Sequence, residues 1–181
     1  MEGALVTSDA MSCQKKIVGK ITDAKADYTI GLKQNQSALY KNCEEYFQAF
    51  SAELPSVTTH EKGHGRIEKR EYRLLSDVSW LEQAEEWRDL KGLGMVQSTV
   101  IEKDETRQFC RYFITSLTDI DEFADTVRKQ WSIKNQLHWC LDVIFREDAS
   151  KARKELNVLR KTALKLVSQL NMDVSAKKID V

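Results

Sequence analysis

The chain has 181 residues, 41% of them hydrophobic and 31% charged, with 28 cationic and 28 acidic side chains, which is the profile of a globular unit and not of a charged tail. A chain of this length buries enough surface to fold without disulfides or a structural metal. Zero net charge excludes indiscriminate coating of nucleic acid, so any DNA contact must come from local basic patches.

Cys13, Cys43, Cys110 and Cys140 stand far apart with no C-x-x-C pair, so they read as reduced thiols and neither as a zinc ribbon nor as a redox dithiol. No apolar run reaches the roughly 20 residues that span a bilayer, and the start, MEGALVTSDAMSCQKK, lacks a cationic segment followed by an apolar one. A cytoplasmic protein with no membrane partner is expected.

Residues 4–54 read as strand, helix, strand, helix. Ala4 to Thr7 is a short apolar stretch, and Ser8-Asp9 supplies cap-type side chains before a helix with Met11, Ile17, Val18 and Ile21 on its stripe. Asp27 to Leu32 is β-rich. Asn35 then caps a helix in which Leu39, Cys43, Tyr46, Phe47 and Phe50 recur every three or four residues. That alternation favours a parallel α/β sheet.

Pro55, the only proline, opens a stretch rich in Ser, Thr and Gly that predicts a loop of about ten residues. Residues 66–75, 95–102 and 109–116 are β-type runs, with Asp104-Glu-Thr as a hairpin turn between the last two and a short helix over Trp80 to Trp87. From Asp121 the pattern is helical again, and a final helix carries Leu156, Leu159, Ala163, Leu166 and Leu170 on one stripe. The last ten residues read as a frayed tail.

Four local patterns could carry chemistry. His60-Glu61-Lys62-Gly63-His64 matches H-E-x-x-H, but zinc binding by that spacing needs a helix, and Gly63, Gly65 and Pro55 argue for two loop histidines instead. Asp9, at a strand end leading into a helix, is placed either to cap that helix or to serve a site at the carboxyl edge of a sheet. Lys134, His138 and Asp142 share a helical face among the aromatics of WSIKNQLHW, which suits a binding face or a solvated one equally. Residues 151–168 hold six cations, Lys151 and Arg153 among them, against the single acid Glu155; this is either a phosphate-binding face or ordinary solvated surface.

Several segments together resemble one family, the H-repeat-associated insertion-sequence transposases of the Asp-Asp-Glu type. SDAMSCQKKI followed by DYTIGLKQNQSAL resembles the family's strand and helix around its second catalytic Asp, and GHGRIEKREYRLL, RYFITSL and VRKQWSIKNQLHWCLDVIFRED resemble its later blocks in the same order. The resemblance implies an α/β fold: the C-terminal part of a ribonuclease-H-like core with a β-rich insertion and C-terminal helices. In domain terms this gives a partial core over 1–54 carrying Asp9, an insertion over 55–118, core-completing helices over 119–171 and a tail over 172–181.

It further implies that three carboxylates hold two divalent metals, normally Mg2+, for in-line displacement at phosphorus. Asp9 falls at the second Asp. The first has no counterpart in these residues, and in the family's W-x-I-E-N block the Glu position is Lys134, followed by Asn135. An ammonium there repels metal, and Asp142, about 12 Å further along a continuing helix, does not reach the same point. The expected activity is therefore that of a shortened, inactive transposase with residual metal ligation by Asp9 at most. The alternative is a fragment that binds DNA or an intact transposase and interferes with it. DNA contacts are expected at Arg66, Lys69, Arg70, Arg128, Lys134, Asn135, His138, Arg146, Lys151 and Arg153, with insertion-sequence ends as the DNA partner. Without the preceding strands of the core, the Asp9 strand is expected to be an edge that favours self-association.

Overall fold

A computed structural model describes residues 2–63, 66–103 and 105–133. The chain divides into two compact units, 1–130 and 131–181, and the described residues lie almost wholly in the first. Its strands are β1 (Leu5–Ser8), β2 (Asp27–Leu32), β3 (Ser56–Gly63), β4 (Arg66–Leu75), β5 (Gly92–Glu102) and β6 (Glu105–Thr115); its helices are α1 (Lys15–Asp23), α2 (Ser37–Phe50) and α3 (Ile120–Ile133).

All six strands form one mixed sheet in the order β1-β2-β6-β5-β4-β3. β1 and β2 are parallel, as the crossover through α1 requires, and every other pairing is antiparallel. The fold class is thus mixed α/β. The parallel sheet expected from the first 54 residues is confined to one strand pair, because the chain then returns by hairpins. β1 lies at one edge and β3 at the other.

Strand alternation sorts the two faces of the sheet. Tyr28, Ile30 and Leu32 of β2, Tyr112 and Ile114 of β6, and Leu93 and Met95 of β5 share one face in register and pack with Val18 and Ile21 of α1 and Leu39, Cys43 and Phe47 of α2. The opposite face carries Phe113, whose ring meets Phe123 of α3 edge-on at 5.7 Å. Gly94, the cross-strand partner of Phe113, makes room for that contact: a Cβ there would lie 2.2 Å from the Phe123 ring. At the seam between parallel and antiparallel halves, Thr29 and Thr115 hydroxyls meet at 2.9 Å, and the Thr115 hydroxyl also donates to the Tyr28 carbonyl.

Several expectations fail for identifiable reasons. The loop expected after Pro55 is strand β3, paired with β4 along its whole length, Gly63 included; Val57, Thr58 and Thr59 are β-branched and favour the strand. The helix expected over Trp80 to Trp87 is a single turn, Ala84–Glu86. Met11 is not on a helix stripe but is 82% exposed, because α1 begins only at Lys15. Asn35 does not cap α2; it lies in a turn over Gln34–Gln36 and its side chain is used elsewhere. The final helix and the tail fall outside the described residues.

Candidate functional site around Asp9

Asp9 follows directly on β1 and has extended backbone, so its side chain leaves the carboxyl end of a parallel strand pair, where α/β sheets build their sites. It is exposed. Its Oδ1 accepts a hydrogen bond of 3.2 Å from the Met11 amide, which caps the single turn Ala10–Ser12. The expected capping role is real, although the turn it caps precedes α1.

The surroundings hold that turn firmly. Parallel pairing sets Ser8 beside Ile30, so the next residue of β2, Gly31, lies against Asp9 and Ala10. A Cβ on Gly31 would come within 3.2 Å of the Ala10 amide nitrogen, so the bare glycine permits this close approach. From the segment after β2, Asn35 Nδ2 donates to the Ala10 carbonyl at 2.9 Å and Gln36 Nε2 to the Cys13 carbonyl at 2.9 Å. Sequence reasoning missed these two amides as positioning residues. Their signal was the polar pair Asn35-Gln36 between a strand and a helix, with no side-chain cap bond made to α2.

The other expected site residues are dispersed. Lys69 and Arg70 project from opposite faces of β4. Arg70 is buried, with Nε 2.9 Å from Glu68 and Nη1 2.8 Å from Glu61, while Lys69 is half-buried with Glu71 at 3.5 Å. Burial works to lower the Arg70 pKa, but the hydrogen bond and charge of Glu68 and the charge of Glu61 outweigh it and raise it. Arg66 opens β4 at its turn end. Arg128 lies exposed on α3, 3.0 Å from Asp125. Lys134, Asn135, His138, Arg146, Lys151 and Arg153 lie outside the described residues.

The H-E-x-x-H pattern loses its required geometry, since His60 and Glu61 are successive residues of β3 and point to opposite faces; Glu61 is engaged by Arg70. His64 lies outside the described residues.

The family model for the transposase DDE domain matches residues 1–170. This chain belongs to the DDE transposase family. Among similar proteins, "Putative transposase YncI" of Escherichia coli O157:H7 is 38% identical over 177 residues, covering 90% of this chain and 45% of its own length. "Putative protein YbfL" of Escherichia coli K12 is 37% identical, covering 85% and 43%, and the K12 "H repeat-associated putative transposase YhhI" is 36% identical with the same coverage. The chain thus spans less than half the length of these relatives. No solved structure matches it.

DDE transposases typically use a divalent metal held by converging carboxylates. Among the described residues, no three His, Cys, Asp or Glu side chains converge. Asp9 has one oxygen committed to the Met11 amide. The described residues by themselves therefore do not form a metal centre. No described helix is long and apolar enough to cross a membrane.

Proposed function

We propose that this chain is part of a transposase that moves DNA by two-metal phosphoryl transfer on a ribonuclease-H-like core, and that these 181 residues alone do not cut DNA. Asp9 is assigned as the second carboxylate of the family triad. The observation that carries the assignment is its place: an exposed carboxylate at the carboxyl end of a strand, fixed by a cap and by the Gly31, Asn35 and Gln36 contacts.

Inactivity rests on two features: the family's first Asp has no counterpart in these residues, and its Glu position is Lys134. That lysine stands where the W-x-I-E-N block has its acid, so the third ligand is replaced by a cation, which costs several kcal/mol of repulsion toward a metal in a partly desolvated site. Residues 55–118 are assigned as the insertion and 119–171 as the helices that complete the core. A second reading is favoured by the six cations of residues 151–168: retained binding to insertion-sequence ends or to an intact transposase, which such a chain would poison. Arg66, Lys69, Arg128, Lys134, Asn135, His138, Arg146, Lys151 and Arg153 are the DNA contacts in that reading, whereas Arg70 is buried between Glu61 and Glu68.

Magnesium-dependent cleavage of insertion-sequence ends, assayed for the chain and for Lys134→Glu, tests the first reading. Both are expected to be silent, and cleavage by the unaltered chain overturns the proposal. Binding of the same ends that weakens steeply with salt supports the second reading; no binding at low salt removes it.

A further inference from the structure

Charge is unevenly placed along this neutral chain. Residues 131–181 hold ten of the 28 cations and six of the 28 acids, leaving residues 1–130 with 18 cations and 22 acids. The acidic excess is concentrated where residues 42–54, the end of α2 and the turn after it, meet residues 76–87. Asn42 Nδ2 donates to Gln83 Oε1 at 3.0 Å, and the rings of Tyr46 and Trp80 stack 5.1 Å apart and 14° from parallel. Those two segments contain seven acids and no Lys or Arg.

The surface they form is also aromatic. Phe50 packs against Tyr46 at 5.2 Å; Phe50 is 46% exposed and Trp80 is 44% exposed. Trp80 is held in place by its Nε1, which donates to the Asp77 carbonyl at 3.1 Å. Lys41 and Lys15, from outside the two segments, pair with Glu45 and Glu86. Glu53, Asp77, Glu82 and Glu85 have no cation partner among the described residues. An exposed aromatic platform flanked by carboxylates repels a polyanion and suits Lys and Arg side chains, whose cations lie on ring faces while the acids bind their N–H groups.

We propose that this platform docks a second copy of the chain through that copy's residues 151–165, which hold Lys151, Arg153, Lys154, Arg160, Lys161 and Lys165 against Glu155 alone. The two surfaces differ, so the contact is head-to-tail, and it leaves one free platform and one free basic segment on a dimer. The same cations serve the DNA reading above, so DNA and the second copy compete for them. The docking does not depend on DNA being bound.

Sedimentation velocity on the full chain tests this. Association is expected near 50 mM salt and about tenfold weaker near 500 mM, as screening predicts. Trp80→Ala and, separately, the triple change Arg160→Glu, Lys161→Glu, Lys165→Glu should each weaken it about tenfold or more, with circular dichroism confirming an unchanged fold. Phe50→Ser is the second platform variant should Trp80→Ala unfold. Mixing the Trp80→Ala and triple variants should restore a one-to-one complex, since each retains the half that the other lacks. A chain monomeric at both salts, an association indifferent to salt, or variants that associate like the parent would each overturn the proposal.

Discussion

Arg70 lies between Glu68 on its own strand and Glu61 on the next, and those two carboxylates are direct cross-strand partners. Like charges placed opposite each other destabilise a ladder, and the guanidinium cancels that repulsion by bonding to both. With its side chain only 6% exposed, Arg70 is committed to the sheet, which sets it apart from the half-exposed Lys69. Arg70→Leu should therefore cost about 3–5 kcal/mol, because it takes away the buried guanidinium that bonds to both Glu68 and Glu61, whereas Glu68→Leu combined with Arg70→Leu should recover most of that loss. Urea unfolding of both variants checks this, and equal stabilities would show that Glu68 rehydrates freely. Asp9 invites the same separation of roles: Asn in its place would keep the cap and remove the charge.

At the scale of an element, α1 ends in a pattern that usually calls for glycine. Lys25 has φ +53°, the Ala26 amide donates to the Ile21 carbonyl and the Lys25 amide to the Thr22 carbonyl, which is the paired closure of a Schellman motif. A side chain in the left-handed region costs about 1 kcal/mol, and the exposed Lys25–Glu2 pair at 3.6 Å returns little of it. Lys25→Gly should raise stability by about 0.5–1 kcal/mol, read as a higher melting temperature; a fall would mean that Lys25 makes a contact more valuable than its strain. On the other face of the sheet, Gly94→Ala should destabilise by about 1–3 kcal/mol, because its methyl group falls inside the Phe123 ring and α3 must shift to admit it.

For the whole molecule, two thiols report on the core that joins β2, α1 and α2. Cys13 and Cys43 are fully buried, and burial pushes the Cys13 thiol up to about 12 and the Cys43 thiol upward as well. The native state therefore holds these protons more tightly than the unfolded chain, whose thiols titrate near 9. The resulting stability is intact below about pH 9 and is lost as pH rises toward about 12. At pH 8, both thiols should react with a disulfide reagent at least about a hundredfold more slowly than in denaturant, since only opening of the core exposes them. Labelling of Cys13 at the unfolded rate would mean that the Asp9 turn and α1 are open in solution.

Much of this protein could be read from its letters. The strand–helix–strand–helix start, the β-runs over 66–75, 95–102 and 109–116, the helix after Asp121 and the capping Asp9 all follow from periodicity and cap chemistry, which are local. The proposed assignment of Lys134 to the family's Glu position rests on sequence order alone. Tertiary structure decided what depends on a partner distant in the chain. β3 is a strand because β4 lies beside it, and Arg70 is buried because Glu61 faces Glu68. Asn35 serves the Asp9 turn because parallel pairing brings the ends of β1 and β2 together. The stripe of α2 divides, with Leu39, Cys43 and Phe47 inward and Tyr46 and Phe50 left beside Trp80, because the sheet covers only part of a helix's circumference. Local spacing shows which side chains could share a face, and only the strands and helices packed against that face decide which of them are covered.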